Sequence, residues 1–407
     1  MLKKYNWAVV VIFTTVFLSF LRPAFAQNTD IAFASCLTEL GERARSEGVD
    51  SAIVTSVLKD TRRLERVIKL DRSQPEFTKT FADYYIRRVT TQRVEQGREL
   101  YAKHRDLLNR VQLEYGVPAH YLLAFWGLET NYGSYFGKIS TTDALATLAC
   151  DPRRPTFFSD EFISALRIIA AGDIEPKRMR GSWAGAIGHV QFLPSVFQEY
   201  AIDGDGDGRR DLWGSIPDAM ASAANFLRGI GWQRELRWGR EITLPQNFDY
   251  SLAGRDQKRP LKEWVSLGVS DAYGGDLPLL DINAAVLVPA GHRGPVFLVY
   301  DNFEVIMRWN RSEYYAISVG RLADRIAGAV TLTRAVVPDS EQITLAEVKR
   351  LQQELVLLGY DAGKADGMFG PVTRRALSQF QQTKGMIADG YLDRQALQAV
   401  RKAADKS

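Results

Sequence analysis

The sequence predicts a mainly α protein of the α+β class, with a small β-containing subdomain and a C-terminal module of three helices. Through the first half of the chain, apolar residues recur at three-to-four spacing, as in Asp50–Leu64, Tyr85–Tyr115 and Ser159–Gly172. That pattern is typical of amphipathic helices. Between about 233 and 310, short apolar runs bounded by turn residues replace it and favour strands. The 407 residues are 46% hydrophobic and 25% charged, as expected of a folded chain of two or more domains.

The first 26 residues have the parts of a secretory signal peptide. Lys3 and Lys4 form a basic start, and an apolar run covers Trp7–Leu21. Small residues in Ala24-Phe25-Ala26 precede a cleavage site at Gln27. The run is shorter than a membrane-spanning helix requires, and no cysteine for a lipid anchor follows the site directly. We therefore expect an exported, periplasmic protein with no integral membrane segment after signal removal.

The charge balance gives no indication of nucleic-acid binding. Removal of residues 1–26 deletes Lys3, Lys4 and Arg22 and no acidic residue, so the formal net charge falls from +4 to +1. No block of Lys and Arg remains that would neutralise a phosphate backbone.

The chain contains two cysteines, Cys36 and Cys150. In an oxidising compartment an even pair favours one disulfide, which would tie the mature N-terminus to the first domain. Two buried free thiols remain the alternative, because the compartment is the only argument for the bond. Neither cysteine has a CxxC partner or a neighbouring histidine, which disfavours redox and metal roles.

The β-containing part is predicted from two apolar runs. The runs cover 283–289 and 294–300, and each is bounded by turn residues. Helical periodicity returns at Tyr314–Ala329. We therefore predict one α-rich domain over 27–332 that carries a small β-containing insertion.

A linker over 333–342 and a helical module over 343–402 are predicted after this domain. Pro338-Asp-Ser interrupts the periodicity in the linker. In the module, a helical stripe over Leu345–Leu358 ends at Gly359, and Pro371 can begin a second helix. A third helix is expected over Leu392–Val400.

The module resembles the peptidoglycan-binding domain 1 family over nearly its whole length. The matching residues are LGY at 358–360, DGMFGPVTRRALSQFQ at 366–381 and DGYLDRQAL at 389–397. The resemblance implies a unit that holds the rest of the protein near the cell wall. The alternative from the pattern alone is a generic three-helix scaffold.

Residues 127–133 read GLETNYG and place one glutamate among small, apolar and uncharged residues. Pro118 suits the start of a helix. This helix is expected to run to about Glu129, before Asn131 and Gly133 end it. The glutamate therefore lies in the last turn.

The surroundings of Glu129 favour a general acid. Trp126 and Phe125, three and four residues earlier, can cover its side chain. Burial and the negative end of the helix dipole both raise the pKa of a carboxyl group, as a general acid near neutral pH needs. The alternative is a solvated glutamate at a helix end.

A second segment, RGSWAGAIGHVQFLPS at 180–195, follows some fifty residues later. Its small residues allow a backbone to approach a ligand or a neighbouring helix closely. Gln191 offers a neutral group that both donates and accepts hydrogen bonds, of the kind used on sugar amides. His189 is expected to be structural or to line a cleft, since no zinc-type spacing surrounds it.

These two segments, with much of residues 30–330, resemble lytic murein transglycosylases of the family B type, glycoside hydrolase family 103. The resemblance implies a lysozyme-like α-rich catalytic domain with Glu129 as its catalytic residue and Ser182 as a hydrogen-bond partner of that glutamate. It also implies substrate contacts, which fall on Gln191, Trp309, Asn310 and Tyr315. Where the family usually has tyrosine this chain has Trp309, so the predicted sugar contact there lacks a hydroxyl.

The reaction is implied by the same resemblance. Ordinary glycosidases use two carboxyl groups, whereas the family pattern supplies one, Glu129. The implied enzyme cleaves the MurNAc-β-1,4-GlcNAc bond of peptidoglycan without water, with the glutamate as acid and then as base, and leaves 1,6-anhydro-MurNAc ends. Two alternatives stay open: a hydrolytic muramidase, with a second acid such as Asp143, and a non-catalytic wall-binding protein. Peptidoglycan strands, and possible further cell-wall enzymes, are the expected partners.

The stretch DGDGDGRRDLW at 203–213 follows the spacing of an EF-hand calcium loop through its first half. Position 12 of such a loop is Gly214, so the usual bidentate glutamate is absent; the resemblance carries that role to Asp218. The expected ligands are Asp203, Asp205, Asp207, Arg209 through its carbonyl, and Asp218. A structural calcium ion and no organic cofactor are thus predicted, with a metal-free Asp/Gly turn as the alternative.

Overall fold

The computed structural model describes residues 22–73, 80–337 and 343–406. The predicted signal peptide lies outside these residues up to position 21, and the first helix runs through the predicted cleavage site. None of the helices in the described ranges is long and apolar enough to cross a membrane.

Helices form most of the described chain. In the first half they are α1 (Arg22–Ser46), α2 (Ser51–Asp60), α3 (Glu65–Ser73), α4 (Phe81–Arg88), α5 (Thr91–Lys103), α6 (Arg105–Tyr115), α7 (Ala119–Thr130), α8 (Thr141–Ala149) and α9 (Pro155–Ala170). Further along they are α10 (Pro194–Tyr200), α11 (Ile216–Gly229), α12 (Leu261–Ser266), α13 (Asp301–Trp309), α14 (Glu313–Ile326), α15 (Leu345–Leu357), α16 (Pro371–Thr383) and α17 (Arg394–Ala404). The predicted mainly α class is confirmed.

The helical stretch predicted over Tyr85–Tyr115 is divided into α4, α5 and α6. Thr90 is extended, and its hydroxyl accepts a hydrogen bond from the backbone N–H of Arg93, which begins α5. His104 has a non-helical backbone that ends α5 and precedes α6. Apolar periodicity continues across both breaks, so the pattern alone did not reveal them.

Helix α7 is the centre of the large core. Its residues Leu122, Leu123, Ala124 and Phe125 are all 0% exposed, because α5, α6, α11 and α14 pack around it. A helix that is apolar on all sides is stable only where neighbours cover it in this way. Its C-terminal end, which carries Glu129, is thereby held at a fixed place in the fold.

A disulfide joins Cys36 and Cys150, the pair that the sequence predicted, with Cα atoms 5.9 Å apart. It joins α1 to the residue that follows α8. The N-terminal helix is thus attached covalently to the end of α8.

The strands of the described chain are β1 (Ile139–Ser140), β2 (Arg180–Gly181), β3 (Gly239–Thr243), β4 (Arg259–Pro260), β5 (Ser270–Asp271), β6 (Asn283–Leu287) and β7 (Val296–Val299). The β-containing subdomain is an antiparallel sheet of five strands in the order β4-β6-β7-β3-β5, and β1 and β2 form a separate pair. The two predicted strands are β6 and β7. A second core lies on this sheet around Trp264, whose indole N–H donates to the carbonyl of Ala284.

The C-terminal module has the three predicted helices α15, α16 and α17, with Pro371 at the first position of α16. Two buried glutamines form hydrogen bonds with its turns. Gln352 bonds the Asp366-Gly367 turn, and Gln381 bonds Asp389-Gly390 in the same way. The two Asp-Gly pairs at 366–367 and 389–390 therefore have a structural role in the module.

The module and the start of the predicted linker both contact the β-containing subdomain. Asp389 accepts hydrogen bonds from the backbone N–H of His292 at 2.9 Å, and its carboxylate lies 2.7 Å from the ring Nδ1. Thr333 donates through its N–H and hydroxyl to Glu241 of β3. Residues 338–342 of the predicted linker lie outside the described residues.

Candidate active site

Glu129 lies in the last turn of α7, as the sequence predicted. The helix ends at Asn131, which has a left-handed backbone with φ of 48°. Asn tolerates this conformation better than most residues, and it redirects the chain immediately after the glutamate. The N–H groups of Asn131 and Tyr132 both donate to the carbonyl of Trp126, which closes the helix end.

Two donors from distant parts of the chain converge on one oxygen of this glutamate. The indole Nε1 of Trp309 lies 3.0 Å from Glu129 Oε1, and the hydroxyl of Tyr315 lies 2.5 Å from the same atom. Burial and then the charge of Glu129 raise the pKa of Tyr315 well above its ordinary value. The phenol therefore keeps its proton and acts as a donor.

Aromatic rings fix Trp309 at this place. Its ring centroid lies 4.3 Å from that of Phe125, 5.1 Å from Phe226 and 5.4 Å from Phe192. The sequence expected Trp126 to share in covering the glutamate. In the structure the indole N–H of Trp126 donates to Nδ1 of His189 at 2.8 Å, so it binds the neighbouring segment; the covering of the glutamate by Trp126 stays a prediction.

Thr130 joins the two segments that the sequence analysis singled out. Its hydroxyl donates to the carbonyl oxygen of His189 at 2.8 Å and accepts from the N–H of Gly133 at 3.0 Å. Gly133 has φ of 80°, and a Cβ there would lie 2.4 Å from the His189 ring. The histidine is buried, and burial lowers its pKa to about 4. It is a neutral structural residue, as expected.

The Gly-rich segment is folded tightly on itself. The Ser182 hydroxyl accepts from the N–H of Ala186 at 3.0 Å, and a Cβ on Gly181 would lie 2.0 Å from the Ala186 carbonyl oxygen. Gln191 has φ of 50°, and its side-chain amide donates to the carbonyls of Phe136 and Gly188. The amide therefore ties this segment to the loop after α7. The bond from Ser182 to Glu129 stays a prediction.

Two further candidates have structural contacts. Asn310 ends α13, and its side-chain oxygen accepts from the N–H of Ser312 at 3.2 Å. Asp143, the possible second acid, accepts from the N–H of Arg62 at 3.0 Å and so links α8 to the segment after α2. Burial raises the pKa of Asp143. The sugar contacts predicted for Gln191, Trp309, Asn310 and Tyr315 stay predictions.

Three of the five predicted calcium ligands come together. Asp203, Asp205 and Asp218 offer carboxylate oxygens that all lie within 4.8 Å of one another. Asp207 is outside this cluster, and its carboxylate accepts from the N–H of Arg209 at 2.9 Å. The Arg209 carbonyl stays a predicted ligand.

Asp218 is the buried member of the cluster, with 0% exposure. It accepts from the N–H groups of Gly204 and Asp211. Burial raises its pKa, so a nearby cation would favour its charged form. Three carboxylates around one point are a donor set that suits a hard cation such as Ca²⁺.

The acidic loop is connected to the Gly-rich segment. The N–H of His189 donates to the carbonyl of Leu212 at 2.8 Å. The indole of Trp213 donates to the carbonyl of Arg180 at 3.1 Å. Arg210 also pairs with the buried Asp173 at 2.6 Å. The order of this loop is therefore coupled to the segment that Thr130 attaches to the end of α7.

A glutamate held by two donors at a helix end, beside a tight glycine-rich segment on a helical domain, defines a lysozyme-like glycan-cleaving enzyme. Comparison with known proteins gives the family. The transglycosylase SLT domain model matches residues 32–324, and a peptidoglycan binding domain model matches residues 344–400. The chain belongs to this family, as a family B-type lytic transglycosylase with a C-terminal peptidoglycan-binding domain.

Individual relatives agree with this assignment. The structure of SltB3 from Pseudomonas aeruginosa in complex with NAG-NAM-pentapeptide is 40% identical, covers 91% of this chain and 99% of its own, and has a TM-score of 0.87. The Escherichia coli lytic transglycosylase Slt35 in complex with calcium is 28% identical, covers 72% of this chain and 92% of its own, and has a TM-score of 0.63. Membrane-bound lytic murein transglycosylase B of Escherichia coli (strain K12) is 29% identical over 310 residues, covering 71% of this chain and 81% of that relative.

Proposed function

We propose that this protein cleaves the MurNAc-β-1,4-GlcNAc bond of peptidoglycan without water and leaves 1,6-anhydro-MurNAc ends. The observation that carries the proposal is the placement of Glu129 at the end of α7 with two hydrogen-bond donors on one of its oxygens. Donors of this kind fix the orientation of a carboxyl group, as proton transfer in a defined direction requires.

One glutamate can serve both halves of this reaction. As an acid, Glu129 gives its proton to the glycosidic oxygen while the bond from that oxygen to C1 of the muramic acid breaks. As the resulting carboxylate, it takes the proton of the C6 hydroxyl while that oxygen bonds to C1. The glutamate is neutral again at the end, and no water is consumed.

Two of the residues proposed as substrate contacts from the family pattern, Trp309 and Tyr315, hydrogen-bond this glutamate. Trp309 is partly exposed and lies beside it, so its ring can also border a bound sugar. Gln191 is fixed by two backbone carbonyls through its NH₂ group, which presents its side-chain oxygen as an acceptor for a sugar amide. We assign Ser182, Asn310 and Tyr315 to the same substrate site.

A structural calcium ion is proposed for the acidic loop. Asp203, Asp205 and Asp218 would hold it, with Asp207 and the Arg209 carbonyl completing the shell. A bound ion would balance the charge of these carboxylates and keep the loop ordered. The proposal is supported by the three-carboxylate cluster.

We infer that the protein is exported through a cleaved signal peptide over 1–26 and acts in the periplasm. The C-terminal module would bind peptidoglycan and keep the catalytic domain on its polymer. The fixed contacts between Asp389 and His292 support a module that acts together with the catalytic domain.

The proposal is tested by mass spectrometry of products from purified peptidoglycan. The wild type is compared with Glu129→Gln and with Glu235→Gln, which changes an exposed glutamate in the same way. We expect muropeptides lighter by one water and without a reducible end from the wild type and Glu235→Gln, and no product from Glu129→Gln.

Other product patterns identify the alternatives. Reducible muramic acid ends would overturn the proposal in favour of a hydrolytic muramidase. Binding to sacculi without any product, from a folded wild-type protein, would favour a non-catalytic wall-binding protein.

A further inference from the structure

Two hydrogen-bond donors, Trp309 and Tyr315, reach the same oxygen of Glu129, Oε1. The indole N–H of Trp309 lies at 3.0 Å and the hydroxyl of Tyr315 at 2.5 Å. A carboxyl oxygen offers two lone pairs as acceptors, and these two donors use both. A neutral glutamic acid with this arrangement therefore carries its proton on Oε2.

The two donors differ in what their polar atoms can do. A phenol hydroxyl both donates and accepts hydrogen bonds, so after a rotation Tyr315 could accept a hydrogen bond from a proton carried on Oε1. An indole N–H donates only. Trp309 therefore requires Oε1 to be an acceptor whether the glutamate is neutral or ionised. A tyrosine, which is usual at this position in the family pattern, would not impose that requirement.

The indole cannot easily turn away from the glutamate. Phe125, Phe192 and Phe226 pack on its ring with centroids between 4.3 and 5.4 Å away. Immediately after it, Asn310 leaves the helix and accepts a hydrogen bond from the N–H of Ser312. The donor is thus fixed on both its ring and its backbone.

We infer that Trp309 is a positioning residue of the reaction, which keeps Oε1 of Glu129 as a permanent acceptor and directs the transferable proton to Oε2. The inference rests on the acid and base role proposed for Glu129. The same N–H stabilises the carboxylate formed in the first half-reaction, so it favours proton donation by Glu129.

The first test is the pH dependence of kcat/KM. Trp309→Phe keeps an aromatic ring and removes the donor, so the carboxylate loses one charge-assisted hydrogen bond. We expect the alkaline limb, which reports loss of the acid's proton, to move up by about one pH unit, with a fall in kcat and little change in KM. Trp309→Tyr restores a donor and should return the limb toward its wild-type position.

A packing control separates this effect from a loosened core. Phe226→Leu removes a ring that packs on Trp309 but leaves the indole donor in place. It should lower the melting temperature without moving the alkaline limb. An unmoved limb in Trp309→Phe, with a raised KM, would overturn the inference and make Trp309 a sugar platform only.

A second measurement needs no turnover. The indole ¹⁵N–¹H resonance of Trp309, identified by its absence in Trp309→Phe, should shift with pH in the wild type and not in Glu129→Gln. A resonance that does not respond to pH, in an active enzyme, overturns this inference alone. Equal product formation by Glu129→Gln would instead overturn the proposed role of Glu129.

Discussion

The hydroxyl of Thr130 donates to the backbone carbonyl oxygen of His189 across 2.8 Å, and so attaches the helix end that carries Glu129 to the Gly-rich segment. The two residues are 59 positions apart in the chain. Because Thr130 follows Glu129 directly, this hydrogen bond helps to position the helix end that carries the glutamate against the segment that contains Ser182 and Gln191.

Thr130→Val should weaken this attachment while preserving the shape of the side chain. The buried threonine loses its donor to His189 and its acceptor for the Gly133 N–H. Leaving buried polar groups without partners costs about 1–3 kcal/mol, so we expect the free energy of unfolding in urea to fall by that amount. Thr130→Ser, which keeps the hydroxyl, should stay within about 1 kcal/mol of the wild type. Equal stability of Thr130→Val and the wild type would contradict the attachment.

Gly133 and Gly172 offer a matched pair for measuring the close contact with His189. Their φ angles are 80° and 81°, so alanine at either position carries a similar backbone cost of about 1–2 kcal/mol. A Cβ at Gly133 would lie 2.4 Å from the His189 ring, whereas nothing lies within 4 Å of a Cβ at Gly172. Gly133→Ala should therefore be less stable than Gly172→Ala by about 1–3 kcal/mol in chemical denaturation. Equal losses of stability in the two variants would show that the His189 ring moves aside without an energetic cost.

Much of this architecture follows from local patterns in the sequence. Glu129 at a helix end, α16 beginning at Pro371, and strands β6 and β7 were all predicted from residues close together in the chain. Strand β3 was not predicted, because its pairing with β7 and β5 joins segments that are distant in sequence. Strands β4 and β5 have two residues each, too few for an alternating pattern to be read.

The donors on Glu129 could not be predicted from the sequence for the same reason. They lie 180 and 186 residues from the glutamate, and helix α13, which carries Trp309, falls in the stretch that had been expected to hold strands. An aromatic residue at such spacing is as consistent with core packing or a sugar contact as with a hydrogen bond to a carboxylate. The contact becomes visible only when α13 and α14 are placed against α7.

His189 should make the protein less stable in mild acid. Burial lowers its pKa from 6.5 to about 4, so between these values the unfolded chain binds a proton that the folded protein does not. The contribution of the neutral histidine to the free energy of unfolding is fully present above pH 6.5 and decreases as the pH falls toward 4. In His189→Gln we expect the slope of the unfolding free energy between pH 5 and 6.5 to be smaller by up to about 1.4 kcal/mol per pH unit.

His120 gives an independent comparison, since burial also lowers its pKa to about 4. His120→Gln should reduce the slope by a similar amount, and the double variant by the sum. If the unfolding free energies of the wild type and His189→Gln change with pH at the same slope, the folded protein does not hold His189 neutral.

Removal of the proposed calcium ion should destabilise the region around Glu129 through the acidic loop. Burial raises the pKa of Asp218, so a nearby cation would favour its charged form. Dialysis against a chelator should lower the melting temperature by several degrees. In a domain of 150–250 residues, a loss of about 1 kcal/mol of unfolding free energy lowers the melting temperature by about 2–4 °C, and in a larger chain the same loss lowers it by less. Added Ca²⁺ should restore it.

Asp218→Asn distinguishes a cation site from a general effect of the chelator. The variant should begin with a lower melting temperature and respond little to chelator or to added Ca²⁺, because it removes one carboxylate of the three-membered cluster. Asp281→Asn changes an exposed aspartate outside the cluster, and it should respond to both as the wild type does. A wild type that contains no calcium by elemental analysis and melts equally with and without chelator would contradict the proposed site.

Since the N–H of His189 donates to Leu212 at the end of the acidic loop, loss of the ion should also lower the rate of product formation before it unfolds the whole chain.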